Sequence, residues 1–142
     1  GKSLRIKVKD ILVDTFNSPI LSPTSSIREA VLEMTKFPIG GCAIVENGKL
    51  LGILVDGDIR RFLTQKNPDL DRKISEVMTQ NPITTTSEAL AIDALYVMEN
   101  RQSQIGILPV IGKDKEFLGF IRLHDILREG ISLKAKSENL SV

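Results

Sequence analysis

Apolar positions along the chain fall into two rounds of one pattern. In the first, Ile27, Ala30, Val31 and Met34 recur at i, i+3, i+4 and i+7, the spacing of one helix face. Ser26 and Glu29 in front of that stripe match a capping box, and Pro38 with Gly40-Gly41 predicts the helix end near Phe37. Two apolar runs follow at 42–45 and 50–55, joined through Glu46-Asn47-Gly48-Lys49. Asn-Gly predicts a hairpin, because both central residues of the tight turn need positive φ. Asp56-Gly57-Asp58 then opens a second helix with Ile59, Phe62 and Leu63 on one face, predicted to end near Lys66, before Asn67-Pro68.

The second round repeats this order. Ala91, Ala94, Leu95 and Met98 reproduce the stripe behind a cap at Thr86 or Ser87, and runs at 107–111 and 117–121 predict a second hairpin with a longer, charged turn. Pro109 inside the first of these runs predicts an edge or a bulge. A last helix is predicted from His124 to about Glu129. Each round has a lead-in: a helical turn at 8–12 or 74–78, an Asn-x-Pro or Asn-Pro break, and a short strand at 20–22 or 83–85. The closest internal match sets Gly52-Ile53-Leu54-Val55-Asp56-Gly57-Asp58-Ile59 against Gly119-Phe120-Ile121-Arg122-Leu123-His124-Asp125-Ile126.

A repeat of this size implies two supersecondary units that cannot bury their apolar faces alone and complete one core together. The order predicts an α+β fold of two β-α-β-β-α units packed pseudo-symmetrically, sheet against sheet. Residues 1–73 form the first unit with its lead-in and linker, and 74–131 form the second. Residues 132–142 are a polar tail expected to be disordered.

Composition narrows the chemistry. With 19 basic and 18 acidic side chains and 4% aromatics, no field of one sign and no base-stacking surface points to nucleic acid. No apolar run approaches a membrane span, and no signal peptide is visible, so a cytoplasmic location without membrane partners is expected. A chain that starts at Gly1 reads as a piece of a longer protein, with a domain expected upstream. The single cysteine, Cys42, lies in an apolar run and reads as a buried structural thiol. His124 has no cysteine or histidine companion with which to hold a metal. No Gly-x-Ser-x-Gly elbow, phosphate loop or His-Glu-x-x-His helix is present, so catalysis by this chain is not expected. Lys2, Arg5, Lys7 and Lys9 alternate with apolar residues beside Asp10 and Asp14, and read as a solvated lead-in.

The duplicated lead-in, the capped helix with Ala-x-x-x-Met and the Gly-apolar-x-x-x-x-Asp ending resemble a tandem pair of CBS domains, over residues 8 to about 130. Gly1-Lys2-Ser3-Leu4 before Val8-Lys9-Asp10-Ile11-Leu12, and Asp56-Gly57-Asp58-Ile59-Arg60-Arg61 after the first hairpin, are similar to the C-terminal CBS pair of bacterial arabinose 5-phosphate isomerases. That resemblance implies a regulatory module behind a sugar isomerase (SIS) domain. The parent would convert ribulose 5-phosphate to arabinose 5-phosphate for synthesis of the lipopolysaccharide sugar Kdo. It implies no cofactor, a regulatory nucleotide of the AMP or ATP type or CMP-Kdo, and a homodimer of CBS pairs.

In that family the adenosine-type ligand lies between the repeats. The motif Asp accepts from ribose hydroxyls, and a Thr or Ser three residues earlier helps the phosphate. The acidic positions are Asp58 and Asp125, whose ionised oxygens suit two vicinal donors. Each is also a first-turn carboxylate favoured by the helix dipole. The hydroxyl position is Val55 in one copy, which cannot donate, and Arg122 in the other, whose guanidinium can fork onto a phosphate. The expected cleft therefore contains Arg122 and Asp125, with Thr84 and the backbone near Ile105 as walls. The alternatives are a structural module that joins copies through faces around Phe62, Leu63, Ile126 and Leu127, and a CBS pair from another enzyme or a transporter.

Overall fold

The computed structural model describes residues 2–133, so residues 134–142 of the expected polar tail lie outside the described residues. Two four-stranded sheets face each other. In the first, β2 (Ile20–Leu21) runs parallel to β3 (Gly41–Glu46), and β3 forms the predicted hairpin with β4 (Lys49–Val55). Asn47 and Gly48 both take positive φ in its turn. In the second, β6 (Thr85–Thr86) runs parallel to β7 (Ile107–Ile111), which pairs antiparallel with β8 (Phe117–Arg122).

Each sheet is closed by a strand from the other copy's lead-in. Val13–Asp14 (β1) pairs with β8, and Thr79–Gln80 (β5) pairs with β4. The helical turns cross in the same way. The short helix α1 (Val8–Ile11) buries Val8 beside Leu95 and Ile126 of the second copy. The turn at Ile74–Glu76 buries Ile74 beside Ile27 and Phe62 of the first. Although the lead-in at 1–19 precedes the first repeat along the chain, its packing is therefore with the second.

This crossing explains the duplicated glycine. Gly52 sits opposite Gln80 of the incoming strand and Gly119 opposite Asp14. A Cβ on Gly52 would lie 2.6 Å from the Thr79 carbonyl oxygen, and one on Gly119 2.1 Å from that of Val13. Gly119 also has φ +142°, which a side chain rarely adopts. The motif glycine is the point where the other copy's backbone passes.

Burial falls into three layers. Helix α2 (Ile27–Lys36) and helix α3 (Asp56–Leu63) cover the outer face of the first sheet, with Ile27, Ala30, Met34 and Phe62 inward. Helix α4 (Ala91–Glu99) and helix α5 (Leu123–Arg128) do the same for the second, with Leu95, Met98 and Ile126 inward. Between the sheets lie Ala43, Leu50, Ile107, Phe117 and Phe120, with the two phenylalanine rings edge to face at 5.2 Å. Apolar burial on both faces of both sheets is what holds the copies together.

Several local expectations change. The Ser26–Glu29 capping box forms as predicted, but α4 starts at Ala91 without a side-chain cap from Thr86 or Ser87. Its first N–H groups are met from elsewhere, since Ala91 N–H donates to the Ile6 carbonyl of the crossed lead-in. The predicted strand at 83–85 sits at Thr85–Thr86, and α3 stops at Leu63 rather than near Lys66. Pro109 lies in an interior strand, one residue before a register shift between Val110 and Ile111. Its counterpart Ala43 donates its N–H to Pro19, a bond proline cannot make, and β6 accordingly begins its pairing one residue later, at Val110.

Candidate functional site

The hairpins end where the helices α3 and α5 begin, so each motif Asp sits in a first helical turn at the seam between the copies. Asp56 N–H donates to Gly40 O and Leu123 N–H to Gly106 O, tying each helix start to the first strand of its own hairpin. The two ends are built alike and charged differently.

At the first, one Asp58 oxygen accepts from the Val55 backbone N–H at 2.9 Å and the other from Arg61 at 2.7 Å. Asp58 is 16% exposed, whereas Arg61 is 73% exposed. Two neighbouring cavities of about 320 and 550 Å³ meet here and share Val55, Arg61, Ile105 and Ile107 as walls. The smaller adds aliphatic surface from Ile53, Pro82 and Ile83, with Asp58 at its side. The larger adds polar groups at its mouth: Asp56, Arg60, Ser103 and Gln104. Aliphatic walls for a flat ring, a carboxylate for hydroxyls and two guanidiniums for an anion thus converge within one cleft.

At the second, Arg122 forks onto Asp125, with Nε to Oδ2 at 2.8 Å and Nη2 to Oδ1 at 3.0 Å. Both are largely shielded, at 29% and 14% exposure, and Arg128 stands behind at 4.0 Å. Neither Arg122 nor Asp125 lines the two cavities. The remaining expected walls are also elsewhere. Ile105 faces Asp58's cleft, and Thr84 lines a separate space of about 120 Å³ with Leu50, Pro82 and Ile111. These cavities thus bring Ile105 to Asp58 and not Thr84, Arg122 or Asp125, and the crossed lead-in carries residues 79–83 to the same Asp58.

Arg60 and Arg61 were not singled out from the sequence. For Arg61 the signal was present, since a residue three beyond Asp58 lies beside it on a helix surface. Among the other candidates, His124 is exposed and bonds Arg128. Cys42 is fully buried, and burial pushes its thiol up to about 12. Phe62 and Ile126, expected on a joining face, are turned into the cores, leaving Leu63 and Leu127 exposed. Among the described residues, no cluster of His, Cys, Asp or Glu is arranged to hold a metal, and no helix is long and apolar enough to cross a membrane.

Two repeats exchanging lead-ins, with a motif Asp in the first helical turn of each, define a tandem-repeat α+β module. The CBS domain family model matches residues 8–65 and 74–132, and the chain belongs to that family. Within it, the chain is 38% identical to arabinose 5-phosphate isomerase KdsD of Francisella tularensis, over 90% of this chain and 38% of the relative. It is 36% identical to the KdsD of Yersinia pestis, over 92% of this chain and 39% of the relative. The match falls on the C-terminal CBS region of these isomerases, so the chain spans about two fifths of their length. Among solved structures, the CBS pair of protein MJ0100 in complex with 5'-methylthioadenosine and S-adenosyl-L-methionine superposes with a TM-score of 0.74 at 30% identity. That superposition covers 86% of this chain and 93% of that one.

Proposed function

We propose that this chain is the regulatory CBS pair of an arabinose 5-phosphate isomerase, and that it senses a nucleotide or nucleotide-sugar in the cleft beside Asp58. The observation that carries the reading is the convergence at that cleft of aliphatic walls, a shielded carboxylate and two exposed guanidiniums. The base lies between Val55, Ile83 and Ile105, the ribose hydroxyls donate to Asp58, and Arg60 and Arg61 take the phosphate in place of the hydroxyl missing at Val55. Likeness to a CBS pair solved with adenosine compounds supports an AMP- or ATP-type effector. Covering about two fifths of an isomerase such as KdsD supports an attached catalytic domain. That this is an SIS domain, that the CBS pairs form a homodimer and that a pathway product such as CMP-Kdo is the alternative effector are parts of the same proposal. Regulation follows if the ligand prefers one relative placement of the modules, since only differential affinity shifts a conformational equilibrium.

The test is thermal unfolding with AMP, ATP, CMP and CMP-Kdo, on the native chain and on Asp58→Asn. A ligand at 100 times its dissociation constant stabilises by about 2.7 kcal/mol. The expected result is a shift with at least one of the four that Asp58→Asn abolishes. No shift with any of them, on a chain that melts cooperatively, refutes sensing. A scaffold that joins copies through the exposed Leu63 and Leu127 then becomes the better reading.

A further inference from the structure

The two motif carboxylates differ in what already occupies them. Asp58 spends one oxygen on its own helix cap and holds Arg61 through a single bond, and an exposed pair of that kind is readily exchanged for solvent or ligand. Asp125 has both oxygens taken by the planar fork of Arg122 in a shielded setting. Such a bidentate bond offers a neutral hydroxyl nothing it can displace on equal terms.

The floor beneath differs as well. Ile53 of β4 pairs with Ala43 and Thr79, and at the matching register Phe120 of β8 pairs with Pro109 and Val13. Ile53 lines the cavity of about 320 Å³. Phe120 is fully buried, and its ring lies 3.5 Å from where a Cβ on Gly41 would sit, so it narrows the equivalent floor without reaching over Asp125's oxygens, which Arg122 holds.

We infer that Arg122 decides which cleft is used. Its guanidinium occupies the acceptor carboxylate of its own repeat, so the pair takes one nucleotide and not two. This rests on the reading of Asp58 as the ligand's carboxylate. Arg122→Val gives the second copy the residue that the first has at this register, and lets Asp125 turn to the backbone as Asp58 does. Phe120 stays in place in that variant, so gain of a site assigns the closure to the guanidinium.

Equilibrium dialysis of labelled AMP against the whole chain reads the number bound. One AMP per native chain, two per Arg122→Val chain and one at unchanged affinity for Asp125→Asn are expected. Two on the native chain, or a cooperatively melting Arg122→Val that gains none, overturns the assignment. Asp125→Asn keeps it exposed even if Arg122→Val fails to fold: an affinity loss of about tenfold or more would place the ligand at Asp125. No AMP on the native chain but one on Arg122→Val would leave Arg122 as the closing residue and remove Asp58 as the site.

Discussion

The two repeats share a backbone plan and diverge in what fills the seam. Each offers a glycine beneath the crossing strand, a motif Asp in the first helical turn and a stripe of Ala and Met toward the core. Around those constants the first copy places Ile53, Val55 and an exposed Arg61, and leaves open space. The second places Phe120 and a shielded Arg122 clamp, and leaves little. Duplicated folding requirements and unequal binding surfaces can therefore coexist because they occupy different positions: the fold depends on the glycines and helix stripes, whereas ligand access depends on strand ends and first turns.

The largest expected test of that division compares the floor residues. Phe120 is fully buried between the sheets and packs on Phe117, so Phe120→Ala should cost about 3–5 kcal/mol in chemical denaturation. Ile53 is half-buried beside a cavity, so Ile53→Ala should cost about 1–2 kcal/mol. Equal losses would mean that the second floor is no better filled than the first, and the asymmetry would then rest on the charges alone.

The crossing glycines come next, and here the copies should behave alike in kind and differ in degree. Gly119→Ala meets the Val13 carbonyl at 2.1 Å and has an unfavourable φ, and is expected to lose about 2–3 kcal/mol. Gly52→Ala meets Thr79 at 2.6 Å without that φ, and should lose about 1–2 kcal/mol. Thermal melts of the two variants check the order. A neutral result at either site would show that the incoming strand moves aside, and would separate the glycine from the exchange of lead-ins.

How much of this was legible in the sequence follows from the range of the forces involved. Helix stripes, the Asn47-Gly48 turn and the Ser26 cap are local, and the residues that carry them are neighbours in sequence. The exchange of lead-ins is long-range. Val13–Asp14 and Thr79–Gln80 are two-residue strands with no periodicity of their own, and only their partners Phe120 and Ile53 make them strands. That same blind spot hid which segments surround Asp58, because residues 79–83 reach it only through the crossing. The Val55/Arg122 difference was readable as an inequality, but its direction was not. An arginine three residues before an aspartate reads equally as an anion site or as that aspartate's own partner, and only the geometry shows the fork closed.

The smallest expected effect sharpens the comparison at the two junctions where lead-ins dock. The first lead-in reaches the second copy through Lys7 and Lys9, both on Glu88 at 2.9 and 3.1 Å. Near the other junction, the linker's Asp71 pairs with Arg28 at the longer distance of 3.4 Å. The hydrogen bonds from Lys7 and Lys9 hold the Glu88 carboxyl below the usual glutamate value, and the bond to Glu88 holds Lys7 above the usual lysine value. A depressed carboxyl contributes stability that is present above its unfolded value and lost as pH falls through its folded one. A raised lysine contributes stability present below its unfolded value and lost as pH rises through its folded one. The docking pair therefore acts across the neutral range and fades at both ends. All these groups are exposed, so Glu88→Gln should lower the melting temperature only slightly at neutral pH and low salt. The difference should shrink as pH falls below the usual glutamate range and vanish once the folded-state carboxyl is protonated. A gap that persists in acid would mean that Glu88 acts through packing rather than charge.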